Sequence, residues 1–421
     1  MEIIKELRKE KISLPEAWEV KTLGEVCEIF NGSTPLKRKK EFWEDGEINW
    51  FTINDIRKQG RNIKYTQQKI TSEGFNSTSI TLLPRKSVLL CCTASVGEYA
   101  ITDVELTTNQ QFNGLVVKEK NKLFSEYLFH YASTLKDKLL SKSGKATIDF
   151  VSMTKVKTIP IPLPPLGKQK QIVATLDKAF TAIDIAKANA EQNLQNAKEL
   201  FESYLQNIFE NKGDNWEIKI FDDVINFSQI GLVRNNKEQS SEYTYRYLKM
   251  NNINNDNGLN EDSFKFVNAT SEEVKKYQLL NDDFLFNTRN SFELVGKNCL
   301  YKSDYTKPTL FNNNILRVRF NDFLFPEFAA YAFSSKAMID SLEKIKSGTT
   351  NVVGIYYKSL KYLEIPIPPL PEQKQIVQKL DLLSLETKRL EVIYTQKIAD
   401  LEEMKKSILQ SAFSGQLNTQ I

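Results

Sequence analysis

The chain has 421 residues, of which 41% are apolar and 26% charged, with a formal net charge of +4. This length exceeds one ordinary hydrophobic core and suits two domains with additional helices. No apolar run approaches the roughly 20 residues that span a bilayer, and the charged and apolar alternation of Met1 to Glu10 is unlike a signal peptide, so no membrane association and a cytoplasmic location are expected.

In chain order, Ile3–Leu7 reads as a short helix ahead of the break at Ser13-Leu-Pro15. From Trp18 to about Ile159 the pattern is strand-like, at Glu47–Ile53, Ser87–Thr93 and Asn113–Val117, with turns such as Asn31-Gly32 and one helix near Ser125–Ser141. A Pro-rich segment from Ile159 cannot be helix interior, because proline lacks the amide hydrogen and clashes with the preceding turn. Directly after it, Ile172, Leu176, Ala179, Ile183, Ala190, Leu194, Ala197, Phe201 and Ile208 recur every three or four residues or at multiples of that step, the spacing of one helix face. The same sequence of events follows: strands at Asp283–Thr288 and Asn314–Phe320, a helix near Pro326–Lys346, a Pro-rich segment from Ile365, then Ile376, Leu380, Leu383, Leu390, Ile393, Leu401, Met404 and Ile408.

The chain thus repeats itself. Ile159-Pro-Ile-Pro-Leu-Pro-Pro-Leu-Gly-Lys-Gln-Lys-Gln-Ile-Val returns as Ile365-Pro-Ile-Pro-Pro-Leu-Pro-Glu-Gln-Lys-Gln-Ile-Val, and Gln169 to Phe209 recurs without a gap at a constant spacing of 204. Trp18-Glu-Val-Lys returns as Trp216-Glu-Ile-Lys. Helices of about 40 residues would overrun a domain of this size by roughly 30 Å at ~1.5 Å per residue, so they are expected to pack on each other. The expected fold is α+β, with two pseudo-symmetric mixed α/β domains separated by two long helices that form an antiparallel coiled coil. The expected boundaries are 1–160 for the first domain with its short N-terminal helix, 161–211 for a central helical repeat, 212–366 for the second domain and 367–421 for a C-terminal helical repeat. Two equivalent units suit a ligand with two equivalent faces, such as duplex DNA with two half-sites.

Catalytic patterns are largely missing. With His130 as the single histidine, the usual nucleophile-base and metal arrangements are nearly excluded, and packing is its expected role. Cys27, Cys91, Cys92 and Cys299 form no C-x-x-C pair and read as buried free thiols. Gly144-Lys145 is followed by alanine, which rules out a phosphate loop, and no G-x-G occurs. Glu217-Ile-Lys219 matches the tail of a nuclease motif, but Glu19-Val-Lys21 repeats it, and a duplicated strand start explains both. The chain reads as non-catalytic, with no metal and no cofactor of its own.

Residues 1 to 160 carry 25 basic residues against 20 acidic, and residues 212 to 365 carry 20 of each. Within the first domain Lys37, Arg38, Lys39 and Lys40 form a basic loop, followed by Arg57, Lys58, Arg61 and Lys64. Such clusters gain affinity by releasing counterions from phosphates, although a solvated loop is the competing account. Asn109, Gln110, Gln111 and Asn113 in one half, and Asn312, Asn313 and Asn314 with Arg317 in the other, are side chains able to bond base edges, and are equally common in turns.

These features resemble the specificity subunit of type I restriction-modification enzymes over nearly the whole chain. The resemblance rests on Trp18 to Gly32 with Ser33-Thr-Pro35, Trp50-Phe-Thr-Ile-Asn-Asp-Ile56, Leu83-Pro84, Thr93-Ala-Ser-Val-Gly97, Asn109-Gln110, and above all the two Pro-Pro-Leu-x-x-Gln helix starts. It implies two target-recognition domains reading an asymmetric, bipartite site, and adds Ser95, Arg234, Arg246, Arg289, Asn290 and Lys297 to the candidate DNA contacts. In the second domain Gly-Ser-Thr-Pro is absent, Ser228-Gln-Ile-Gly231 with Val233-Arg234 stands near its place, and Thr288-Arg-Asn-Ser291 with Gly296 replaces Thr-Ala-Ser-Val-Gly, so the half-sites are expected to differ. The implied partners are double-stranded DNA, two modification subunits carrying S-adenosylmethionine, and restriction or translocase subunits using ATP and magnesium. A coiled-coil scaffold without DNA affinity and a stand-alone DNA-binding protein would share the architecture. The Pro-rich helix starts, recurring with the target-domain motifs, favour the restriction reading over both.

Overall fold

The computed structural model describes residues 14–142, 150–254, 258–349 and 352–418; the helix expected at Ile3–Leu7 lies outside them. The chain divides into two compact units, Met1–Ala190 with Gln396–Ile421, and Glu191–Thr395.

Unit 1 contains β1 (Glu19–Thr22), β2 (Cys27–Asn31), β3 (Ile48–Phe51), β4 (Asn62–Ile63), β5 (Gln68–Ile70), β6 (Val88–Cys91), β7 (Tyr99–Thr102), β8 (Thr107–Thr108), β9 (Phe112–Val117) and β10 (Pro160–Leu163). Its helices are α1 (Leu23–Val26), α2 (Ile53–Gln59), α3 (Ser72–Asn76), α4 (Ser125–Ala132), α5 (Lys136–Lys142), α6 (Met153–Lys157) and the start of α7 (Leu166–Glu210). A five-stranded sheet of order β2-β9-β6-β7-β4 forms its centre, flanked by the small sheet β5-β3-β8. One face of the large sheet packs on Tyr127, Leu128 and Tyr131 of α4 and on Ile172, Val173 and Leu176 of α7. The other face buries Phe51, Leu83, Leu89 and Phe112.

Unit 2 contains β11 (Glu217–Ile220), β12 (Ile225–Ile230), β13 (Tyr245–Leu248), β14 (Lys265–Val267), β15 (Phe284–Asn287), β16 (Arg289–Asn290), β17 (Asn298–Leu300), β18 (Thr309–Phe311), β19 (Ile315–Phe320), β20 (Ser347–Thr349), β21 (Val352–Gly354) and β22 (Glu364–Ile367). Its helices are α8 (Ser271–Tyr277), α9 (Pro326–Ser334), α10 (Lys336–Lys344), α11 (Tyr357–Leu360) and the first part of α12 (Leu370–Phe413). The sheets β12-β19-β15-β17 and β14-β13-β18 follow the plan of unit 1.

The two echoes of the sequence meet in space. β1 pairs antiparallel with β10, and β11 with β22, so each Trp-Glu-x-Lys strand lies beside its own Pro-rich segment. Alternation explains the prolines: Ile159 and Ile161 face β1, while Pro160 and Pro162 point their missing donors to the other edge. Their carbonyls accept from the hydroxyls of Tyr131 and Tyr127, the latter at 2.8 Å.

Both long helices begin directly after the Pro-rich segments, as the spacing predicts. Within unit 1 the early part of α7 runs antiparallel to the late part of α12: Asp184 accepts from Lys405 at 2.8 Å, and Lys187 pairs with Glu402. Each domain helix predicted as one piece is two. Ser133 and Thr134 turn their hydroxyls back onto the carbonyls of His130 and Tyr131 and end α4. Ser335 caps the start of α10 by accepting from the Met338 amide.

Candidate nucleic-acid interface

The loops of the two units hang on one set of backbone hydrogen bonds. Gly32 donates to Phe112 O at 3.1 Å and Gly231 to Ile315 O at 3.2 Å; Cys92 donates to Gln111 O and Thr288 to Asn314 O, both at 2.8 Å. Gly97 returns to Cys91 O at 3.0 Å and Gly296 to Asn287 O at 2.9 Å. Gly231 therefore stands where Gly32 does, and a Cβ at either would lie 2.0 Å from Asn109 O or 2.3 Å from Asn312 O. Between these shared anchors the units diverge: the turn from Thr288 to Gly296 is three residues longer than that from Cys92 to Gly97, although Arg289 bridges to Gly354 as Thr93 does to Phe150.

In unit 1 the basic loop Lys37 to Lys40 is exposed. Its members differ. Lys37 Nζ lies 3.5 Å from the Trp43 ring centroid and 4.3 Å from that of Trp50, and donates to Gln68 at 2.7 Å; burial lowers its pKa. Lys39 and Lys40 pair with Glu41 and Glu44, whereas Arg38 has no partner among the described residues. Arg57 and Lys58 are exposed on the last turn of α2, also without partners among the described residues. Arg61 pairs with Glu98 at 3.1 Å and lies over the Tyr99 ring. Ser95 is half-exposed beside Ala94, whose φ is +65°. Gln110 is exposed and accepts from the Thr34 hydroxyl, tying the two loops together.

In unit 2 Arg289 is exposed, 5.6 Å from the Tyr356 ring centroid, and Asn290 accepts from the Ser291 amide at 2.9 Å. Lys297 is half-buried at the rim of a concavity that also holds Asn290. Asn313 is half-exposed, and the Asn314 amide nitrogen is 3.9 Å from Met250 Sδ.

Several expected contacts are engaged within the protein. Asn113 is 2% exposed and donates to Cys92 Sγ. Asn109 closes a turn, accepting from the Gln111 amide and donating to its side chain, and Asn312 likewise accepts from Asn314 and donates to Tyr247. These amides hold the frame, the turn role open to them from the outset. Gln111 serves the same turn. Arg234 is held at 2.8 Å by both oxygens of Glu273, and Arg246 by Glu261 and the Tyr305 ring. Arg317, 3% exposed, donates to Gln278 O and Lys276 O. Asn254 and Lys136, which the sequence did not single out, also line loop concavities, and only the three-dimensional structure brings them there.

His130 is buried, with Nε2 2.8 Å from Asp177 of α7, and burial depresses its pKa against the pull of that carboxylate. All four cysteines are buried free thiols, and burial pushes Cys27, Cys92 and Cys299 up to about 12. Among the described residues no group of three or more His, Cys, Asp or Glu could hold a metal, and no helix is long and apolar enough to cross a membrane.

Comparison with known proteins agrees with this duplicated plan. The chain is 24% identical over 424 residues to the EcoKI specificity subunit of Escherichia coli (strain K12), covering 97% of this chain and 90% of that protein. It is 30% identical over 198 residues to the MjaIX specificity subunit of Methanocaldococcus jannaschii, covering 45% and 44%. Its fold is similar to that of the HsdS subunit from Thermoanaerobacter tengcongensis, with TM-score 0.64 at 18% identity over 96% of this chain and 98% of that one. A chain from a study of assembly and conformational transition in the type I R-M system gives 0.75 at 19% identity, over 96% and 100%. The family profile described as "Type I restriction modification DNA specificity domain" matches twice, at residues 15–196 and 213–402, and the chain belongs to this family of type I restriction-modification specificity subunits.

Proposed function

We propose that each unit reads one half of a bipartite duplex DNA site and that the chain directs modification and restriction subunits to it. The observation that carries this reading is the shared backbone frame from which different side chains project. Phosphate contacts position a domain, while loop side chains choose bases. The same frame with Thr93 and Ala94 in one unit, and Arg289 and Asn290 in the other, suits two different half-sites.

In this reading S-adenosylmethionine, and ATP with magnesium, belong to the partner subunits, and this chain supplies recognition alone. Its single histidine is engaged with Asp177, which favours a non-catalytic role. A surface for the modification subunits is offered by α12 within unit 2, where Leu382, Leu385 and Val392 share one helix face and are 68%, 69% and 70% exposed. Three such residues at helical spacing are more than scattered surface apolarity requires.

The test is an exchange of residues 18–158 for those of another specificity subunit, followed by methylation-site mapping. One half-site should change and the other persist. A change in both halves would refute separate reading by the units.

A further inference from the structure

Two concavities occupy the same place in the shared frame. In unit 1 one of about 450 Å³ lies between α2 and the turn after β6, where Ile53, Ile56, Arg57, Ser95, Val96 and Lys136 contribute to its lining. In unit 2 one of about 510 Å³ lies between the 3-10 turn at Met250–Asn252 and the turn after β15, where Met250, Ile253, Asn254, Asn290, Leu294 and Lys297 contribute.

Hydrogen bonds set the correspondence residue by residue. Phe51 and Leu248 end equivalent strands and accept from the amides of Asn109 and Asn312, at 3.1 and 2.8 Å. The next amides, of Thr52 and Lys249, donate to Asp55 at 2.7 Å and Asn252 at 2.9 Å, side chains only 1% and 0% exposed. Ile56 and Ile253 follow these buried caps. Arg57 and Asn254 come next, both at the rim of their concavities.

We propose that these concavities are the base-reading subsites of the two units, and that Arg57 and Asn254 hold equivalent specificity-determining positions in them. The proposal rests on the reading of the chain as a two-part DNA reader and names where that reading is done. Arg57 has the fork that matches the two major-groove acceptors of guanine, and Asn254 the amide that matches the donor and acceptor of adenine. Apolar floors, Ile53 with Ile56 and Met250 with Ile253, suit the flat base edge and a thymine methyl. Exposed cations beside each concavity, Lys58 and Lys136 in unit 1 and Arg289 in unit 2, complement the flanking phosphates. Arg61 is already paired with Glu98, whereas Arg57 has no partner among the described residues, which leaves its fork available.

The test uses the full chain co-expressed with its modification subunits in a host without restriction, with genomic methylation mapped at base resolution. Arg57→Asn should lower discrimination at one guanine of one half-site by roughly tenfold, and Asn254→Arg should do so at one adenine of the other. Each variant leaves the opposite half unchanged. Arg57→Lys keeps the charge but not the fork, so it too should relax that guanine, and it carries the test if Arg57→Asn does not assemble. A motif unchanged in these variants, or methylation lost evenly over all sites, overturns the assignment. A wild-type motif without two parts would instead overturn the underlying reading of the chain.

Discussion

Gln169 and Gln373, 204 residues apart, make the same three hydrogen bonds. The Gln169 oxygen accepts from the Phe124 amide at 2.8 Å, and its nitrogen donates to Lys122 O at 2.7 Å and Pro164 O at 2.8 Å. Gln373 does the same with Phe325, Phe323 and Pro368, at 2.8, 2.8 and 2.9 Å. Each is 0% exposed and fastens the Pro-rich segment and the start of a domain helix to the long helix. Replacing either by Ala strands three backbone groups. A loss of about 1–3 kcal/mol is expected, the range for buried polar groups left unsatisfied, measurable as a fall in urea midpoint. An unchanged midpoint for Gln169→Ala would show that water replaces the side chain at no cost.

The long helices were readable because their apolar stripe persists over dozens of residues, a signal no short element gives. Gln169 and Gln373 were readable as repeated letters, but their role was not: the partners Lys122 and Phe323 are 47 and 50 residues away. Pairing of Glu19 with Leu163 is equally non-local. For the recognition loops, asparagine chemistry is ambiguous by nature, since the same amide closes a turn at Asn109 or lines a concavity at Asn254. Burial decides between these roles.

His130 should make stability depend on pH. Burial holds its pKa below the ordinary value, so the unfolded chain takes up the proton first as pH falls. Stability should therefore drop as pH decreases below about 6.5. In unit 2 the corresponding tie is made by the Tyr331 hydroxyl, 2.5 Å from Asp381. His130→Tyr should accordingly remove this part of the pH dependence while preserving the tie to Asp177. Thermal unfolding of both proteins between pH 5 and pH 8 checks it, and identical pH profiles would sink the idea.

In unit 2 the Asp283 side chain is 1% exposed, with Arg319 Nε at 2.5 Å and Arg317 Nε at 4.0 Å. Unit 1 has Ser87, Gly114 and Val116 at these places, so the charges are a feature of one unit and not of the fold. Asp283→Ala leaves buried arginine charge uncompensated and should destabilise by about 3–5 kcal/mol. Lys302→Ala breaks an ion pair with Glu327 whose lysine is 57% exposed, and should stay within about 1 kcal/mol. Comparable urea midpoints for the two variants would contradict this ranking.

The basic loop should divide its labour between Lys37 and Arg38. Lys37 is held by Gln68 and the faces of Trp43 and Trp50, whereas Arg38 is exposed without a partner among the described residues. Removing one phosphate contact lowers the slope of log affinity against log salt by about 0.9. Arg38→Ala in the assembled methyltransferase should show that change at all DNA sequences alike, because phosphates carry no sequence information. Lys37→Ala should instead alter tryptophan fluorescence and leave the slope nearly unchanged, since its ammonium already has partners within the protein. Replacing Lys37, Arg38 and Lys39 together should weaken binding at every sequence without altering the methylation motif. Salt titrations of DNA binding decide it: equal slope changes for Lys37→Ala and Arg38→Ala would mean that the tryptophan cage opens on DNA and releases Lys37 to the phosphates.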